Sequence, residues 1–172
     1  LSDTGTITFD DLDLADSHSV SAVTAHGGNG LGGTLVASVT DAATGPGPGT
    51  VTWTYSLANA AAQHLAHGET AVERFTVRIE DDHGGFVDQV IAVTVTGAND
   101  APTISAADAT GAVSEDEAAP TLSDTGTITF DDLDLIDTHS VSGVTAHGGN
   151  GLGGTLVASV TDSATGPGPG TV

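Results

Sequence analysis

Thr6-Ile-Thr-Phe9-Asp-Asp-Leu-Asp-Leu-Ala-Asp-Ser-His18-Ser-Val-Ser-Ala-Val23 places two runs of alternating polar and apolar residues on either side of a dense acidic turn. Extended backbone sends successive side chains to opposite faces, so both runs read as strands with one buried face. Val23 breaks the alternation at the end of its run. The same stretch returns at Thr127–Val144, inside a longer repeat. Leu1–Val51 recurs as Leu122–Val172, an offset of 121 residues, and the copies differ at Ala15/Ile136, Ser17/Thr138, Ala22/Gly143 and Ala42/Ser163. Solenoid and propeller repeats recur every 20–50 residues or so. This longer period is a domain, and the chain reads as a stretch of a tandem array. Near-identical tandem domains suit a spacer or a multivalent surface better than a single catalytic centre.

Further alternating runs follow at Leu35, Ala37 and Val39, at Val51, Trp53 and Tyr55, at Phe75, Val77 and Ile79, and from Val87 to Val95. Gly, Pro, Asn or Asp separates them, as expected between strands, and a spacing of roughly 10–18 residues fits an antiparallel sandwich. Only Leu57–His67 reads as helical, an Ala-rich segment of one or two turns stopped by Gly68. His26-Gly-Gly-Asn-Gly-Leu-Gly-Gly33 and Thr44-Gly-Pro-Gly-Pro-Gly49 read as loops. Gly97-Ala-Asn-Asp-Ala-Pro102 is the passage between modules: one strand ends before it, Pro102 extends the residue ahead of it, and Thr103-Ile-Ser105 begins another strand. The expected division is residues 1–98, a module without its N-terminal strand region, and residues 99–172, the start of the next.

The net charge is -21, from 23 acidic residues against Arg74 and Arg78, with no lysine. Such a surface repels nucleic acid and anionic membranes and attracts cations. Disorder is opposed by the 38% hydrophobic content and its strand-like periodicity. Without cysteine, disulfide, zinc-thiolate and cysteine-nucleophile chemistry are excluded. No apolar run is long enough to span a bilayer as a helix. Divalent cations are the natural relief for the acidic repulsion, and bound metal often replaces disulfides in small extracellular domains.

The densest ligand cluster is Asp10-Asp-Leu-Asp-Leu-Ala-Asp-Ser-His18, repeated as Asp131-Asp-Leu-Asp-Leu-Ile-Asp-Thr-His139. Calcium takes six to eight hard oxygens, and closely spaced carboxylates on a turn supply them well. Asp11 and Asp13 share one side of an extended backbone, and Asp16 follows the bend. An EF-hand loop does not fit, since Ala15 and Ala22 stand where it needs oxygen ligands. Other acidic turns accompany the cluster: Glu115-Asp-Glu117, Glu80-Asp-Asp82 ahead of His83-Gly-Gly85, and Asn99-Asp100. The glycine-rich stretch lacks the aspartate of a calcium-binding nonapeptide and reads as a hairpin loop. His64 and His67 read as a surface pair, Trp53 as a core residue, and no G-x-S-x-G nucleophile motif occurs.

Gly5-Thr-Ile-Thr-Phe9 with Asp11-Leu-Asp13, Trp53-Thr-Tyr-Ser-Leu57 with Asn59, Leu65 and Gly68-Glu69, Phe75-Thr-Val77, Asp82, and Thr96-Gly-Ala-Asn-Asp-Ala-Pro102 together resemble the VCBS-type repeat, over essentially the whole chain. The resemblance implies an all-β, Ig-like or cadherin-like antiparallel Greek-key β-sandwich from very large bacterial surface and secreted proteins of the RTX adhesin and biofilm type. Asn99-Asp-Ala-Pro102 also resembles the calcium-binding linker of cadherins, and Asp132-Leu-Asp134 follows at the matching distance. The implied Ca2+ site draws on Asp82, Asn99 and Asp100 on one side and Glu115 or Asp116, Asp132, Asp134 and Asp137 on the other. Asp11, Asp13 and Asp16 have no linker ahead of them and are expected to form a weaker site.

The expected function is therefore a non-catalytic, calcium-stabilised extender or stalk module, cell-surface or extracellular, exported by a type I system as the resemblance implies. Its partners would be neighbouring modules, with neither nucleic acid nor membrane insertion. Two rivals remain open: a fibre subunit assembled by strand complementation, and a glycan- or surface-binding module.

Overall fold

The computed structural model describes residues 1–43, 47–149, 151–164, 166 and 168–172. Residues 44–46 of the first Pro/Gly stretch, Thr165 and Pro167 of its copy, and Asn150 of the second glycine-rich stretch lie outside the described residues. The chain forms two compact units, one of residues Leu1–Gln63 and Gly68–Gly97, the other of His64–His67 and Ala98–Val172. Every strand pairing is antiparallel. Among the described residues no helix is long and apolar enough to cross a membrane.

The first unit contains β1 (Ser2–Phe9), β2 (His18–Ala25), β3 (Thr34–Asp41), β4 (Gly49–Ser56), β5 (Thr70–Asp81) and β6 (Phe86–Thr96). They form two three-stranded sheets, ordered β1-β4-β3 and β2-β5-β6. Period-two alternation decides which faces are buried. On β5, Glu73, Phe75, Val77 and Ile79 are buried; on β4, Val51 and Tyr55 are buried, with Trp53 half-buried between them. The Tyr55 and Phe75 rings meet across the sheets at 5.9 Å, so the two inner faces share one core. Each large apolar side chain buried there contributes roughly 1.5–3 kcal/mol. The irregular alternation near Val23 has a structural cause: a β-bulge between Val20 and Ala22 shifts the register and restores Val23 to a half-buried position.

The expected helix at 57–67 is reduced to one 3-10 turn, Asn59–Ala61. Ala58 at its N-cap makes no side-chain cap, and so short a segment cannot offset the cost of helix nucleation. Tertiary burial of Leu57, Ala62, Leu65 and Ala66 orders the segment instead. Gly68, at φ +77°, reverses the chain after it.

The second unit contains β7 (Thr103–Ala107), β8 (Ile128–Asp131) and β9 (Gly170–Thr171), in the order β7-β8-β9. Thr129↔Thr171 and Phe130↔Gly170 repeat the β1–β4 pairs Thr8↔Thr50 and Phe9↔Gly49. In the first unit β2 is held by β5. Residues 139–146 have no such neighbour among the described residues and form no strand. Leu156 is 75% exposed where its copy Leu35 is 7% exposed.

Candidate metal centre

Each acidic loop is built on the same hydrogen-bonded frame. In the first, Asp11 Oδ1 accepts the Asp13 N–H (2.8 Å), and the Asp13 carbonyl accepts the Asp16 N–H (3.0 Å). In the second, Asp132 Oδ1 accepts the Asp134 N–H (2.9 Å), and the Asp134 carbonyl accepts the Asp137 N–H (3.1 Å). A histidine locks each turn. His18 lies 2.9 Å from Asp11 Oδ2 through Nε2 and 2.8 Å from the Ala42 carbonyl through Nδ1. His139 does the same with Asp132 (2.8 Å) and the Ser163 carbonyl (2.7 Å). Both rings also tilt against a phenylalanine, Phe9 or Phe130, at 4.9 Å.

Both nitrogens of each imidazole face oxygens that only accept, which favours the doubly protonated ring. Burial works to lower the His18 pKa, but its hydrogen bonds to the Asp11 carboxylate and the Ala42 carbonyl outweigh burial and raise it. The His139 pKa is raised chiefly by its hydrogen bond to Asp132. Asp11 is lowered by the Asp13 N–H and then by His18. Burial would raise Asp132, but the hydrogen bond to His139 leads the effects that hold it low. The strand-proximal aspartate of each loop is thus an ionised anchor.

In the first unit the hairpin joining β5 to β6 brings its carboxylates to this loop. Asp11, Asp16 and Asp81 each present an oxygen within 4.8 Å of the others, and Asp16, Asp82 and His83 form a second such group. These acidic clusters could hold a metal ion. Asp81 Oδ1 accepts the N–H groups of His83 and Gly85 (both 2.8 Å), which shapes the hairpin. Asp82 Oδ1 accepts the Ser17 N–H at 3.2 Å, tying hairpin to loop. That contact is the leading cause of the lowered Asp82 pKa, while Asp16 and Asp82 raise that of His83.

The structure thus gathers Asp11 and Asp16 and places Asp82 beside Asp16. Asp13 is exposed and stands outside both groups. Asp81 and His83 are additional members. Asp81 ends β5 and His83 lies in the turn two residues on, where adjacent Asp residues ahead of Gly-Gly are the visible sign.

In the second unit the partner of the loop is the linker. The Asp100 N–H donates to Asp134 Oδ2 at 2.7 Å, while Asn99 Nδ2 donates to the Asp100 carbonyl at 2.6 Å. Asp134 is fully buried, and its Oδ1 has no hydrogen-bond partner. Asp132 is almost as deep, its side chain 1% exposed, and Asp137 is half-buried. Glu115 and Asp116 are exposed, with Asp116 Oδ1 accepting the Ala118 N–H (2.7 Å). Among the described residues these carboxylates form no group as tight as those of the first unit.

A different carboxylate in the first unit has a structural task. Glu73 is 1% exposed, and its two oxygens accept the N–H groups of Leu31, Gly32 and Gly33 (2.9–3.0 Å) and the Tyr55 hydroxyl (2.8 Å). Burial, then Glu73, pushes the Tyr55 phenol up. A side chain at Gly33 would collide with Glu73 and Tyr55, which explains a glycine there. The 26–33 loop is therefore latched to the core rather than loose. Alternation along β5 puts Glu73 on the inner face, the one sequence sign of this role.

Compared with protein-family models and with curated proteins, the chain matches none.

Proposed function

We propose that the chain is a non-catalytic, calcium-stabilised extender module of a large secreted or surface-attached bacterial protein, with an Ig-like or cadherin-like Greek-key sandwich as its repeating unit. The observation that carries this reading is Asp134 Oδ1, a carboxylate oxygen fully buried without a partner at the point where the linker residue Asp100 meets the acidic loop. An unsatisfied buried acceptor costs about 1–3 kcal/mol, more when charged. A divalent cation removes that cost. The donors nearby in sequence and space are hard carboxylate oxygens, the chemistry calcium prefers over softer metals.

Asp134, with Asp132, Asp137 and Asp100, would hold the ion in the second unit. Asp11, Asp16 and Asp81 would do so in the first, with carbonyls and water completing each shell. The role of the ion is mechanical. Bound calcium neutralises the carboxylates of the loop and ties the linker to the module that follows it, so an acidic string becomes a stiffer rod. The resemblance to VCBS-type repeats and the tandem copies support the same reading.

Calcium titration followed by thermal unfolding and small-angle scattering tests it. Calcium is expected to raise the unfolding temperature and to narrow the distribution of dimensions, and chelator to reverse both. Identical unfolding and scattering with calcium and with chelator would overturn the proposal.

A further inference from the structure

We propose that the outer face of the β1-β4-β3 sheet binds a neutral, hydroxyl-rich polysaccharide chain in an extended conformation. Val51 and Tyr55 point into the core, so the residues that alternate with them on β4 point outward. Every outward position of β4 from Thr50 to Ser56 is threonine or serine, and the same holds on β1 from Ser2 to Thr8. On β3 only Val36 interrupts the series. The side chains form rows across the sheet: Thr6 lies opposite Thr52, and Thr52 opposite Ser38. The step is about 4.8 Å between strands and about 7 Å along each strand. Thr4, Thr6, Thr8 and Thr54 are exposed, and among the described residues their hydroxyls have no protein partner.

Strand propensity favours threonine on an exposed sheet, but it does not account for the missing charge. The outer face of the β2-β5-β6 sheet obeys the same propensity and carries Arg74, Arg78, Glu80 and Asp88, with Arg78 and Asp88 joined at 2.8 Å. In a chain of net charge -21, the body of the β1-β4-β3 face has no charged side chain among the described residues. Asp41, at the bulge opposite Thr50, only borders it. An anionic ligand is repelled by the rest of this surface, and a cationic one is drawn to the carboxylates instead. A neutral ligand meets neither obstacle. Rows of hydroxyls and methyls match the hydroxyls and C–H faces of a sugar chain. Sheet twist, about 20–25° per strand, keeps the face from lying flat on a crystal plane, whereas a single extended chain follows it.

The second unit shows how a neighbouring strand extends the face. Thr129 is the copy of Thr8, and Ser105 Oγ on β7 bonds Thr129 Oγ1 at 3.3 Å, so the strand beside it brings a further hydroxyl to the same side. Thr125 and Thr127 are exposed with that strand in place. None of the four differences between the copies falls on the face. One hydroxyl contact adds little, because it replaces a contact with water. Rows of them on a rigid sheet, with threonine restricted at χ1, lose little entropy on binding, and repetition along the chain adds avidity.

Native affinity electrophoresis of the full chain in gels containing hydroxyethyl cellulose, glucomannan or dextran reads the contact. The expected result is retardation in at least one of these neutral polymers, unchanged by added NaCl and by chelator, which separates it from calcium binding. Thr6→Asp with Ser38→Asp charges the face and should lose most of the retardation. Thr6→Val with Thr54→Val should do the same, since it keeps strand propensity and removes only hydroxyls. Thr24→Asp with Thr94→Asp, on the outer face of the other sheet, should bind as the parent chain does. Thermal unfolding shows that each variant is folded. No retardation in any neutral polymer overturns the proposal, including the case in which only polygalacturonate retards the chain. Retardation that survives both pairs of substitutions on the threonine face overturns it equally.

Discussion

The acidic loops at residues 10–18 and 131–139 differ only at Ala15/Ile136 and Ser17/Thr138, yet their second carboxylates have opposite surroundings. Asp13 is exposed to solvent; Asp134 is fully buried, with one oxygen on the Asp100 N–H and the other unpartnered. The anchors follow suit, since the Asp11 side chain is 23% exposed and that of Asp132 only 1%. The internal frame of histidine, phenylalanine and turn hydrogen bonds is the same in both. What differs is the third element. The β5–β6 hairpin approaches the first loop and supplies Asp81 and Asp82, whereas the linker approaches the second and supplies a main-chain donor. Local sequence thus sets the turn, and its neighbour sets the electrostatics.

Asp134→Asn is the strongest challenge to that contrast. In chelator the substitution is expected to raise stability by about 1 kcal/mol, because a neutral orphan costs less than a charged one. In calcium it should lose most of the stabilisation given by the ion, about 2.7 kcal/mol at a hundredfold excess over Kd. The sign of the effect therefore reverses between chelator and calcium. Thermal unfolding in both conditions measures it, and an equal effect in both would remove the cation from the account of this loop.

Glu73→Gln separates the units at their glycine-rich loops. A glutamine cannot accept all four of the hydrogen bonds that Glu73 accepts, and one amide NH2 would face donors. The expected loss is about 1–3 kcal/mol, confined to the first unit. Amide exchange should accelerate at Leu31–Gly33 and stay unchanged at residues 151–154. Uniform acceleration in both loops would show that the latch is not what orders residues 26–33.

The strand pattern was legible because period two is written into residues such as Phe75, Val77 and Ile79, whose burial follows directly. The acidic turns were legible as ligand-rich segments. Which carboxylates share a site was not. Asp81 joins Asp11 and Asp16 through the register of β2 against β5, a pairing between residues fifty or more positions apart that no local spacing encodes. The burial of Asp134 likewise depends on the path of the linker. The helix expected at 57–67 was an overreading of alanine content, since its ordering comes from buried contacts rather than propensity.

pH sharpens the comparison of the anchors. A raised histidine pKa contributes stability that is complete below the ordinary value of 6.5 and is lost as pH rises through the folded value. A lowered aspartate contributes stability present above the ordinary 3.8 and lost as pH falls through its folded value. In calcium-free buffer both pairs are therefore strongest between these limits. His139→Gln should flatten the pH dependence of stability between pH 4 and 8 more than His18→Gln, because Asp132 is the better shielded carboxylate. Equal flattening would mean that burial of the anchor adds nothing to the pair.

The smallest effect belongs to the counterpart of the first substitution. Asp13 is exposed and stands outside both carboxylate groups found among the described residues, so Asp13→Asn should shift stability by no more than about 0.5 kcal/mol, with or without calcium. The near-silence is informative because the residue, its neighbours and its turn are those of Asp134. An Asp13→Asn effect as large as that of Asp134→Asn would mean that the two loops bind alike and that the burial imposed by the linker has no bearing on the ion.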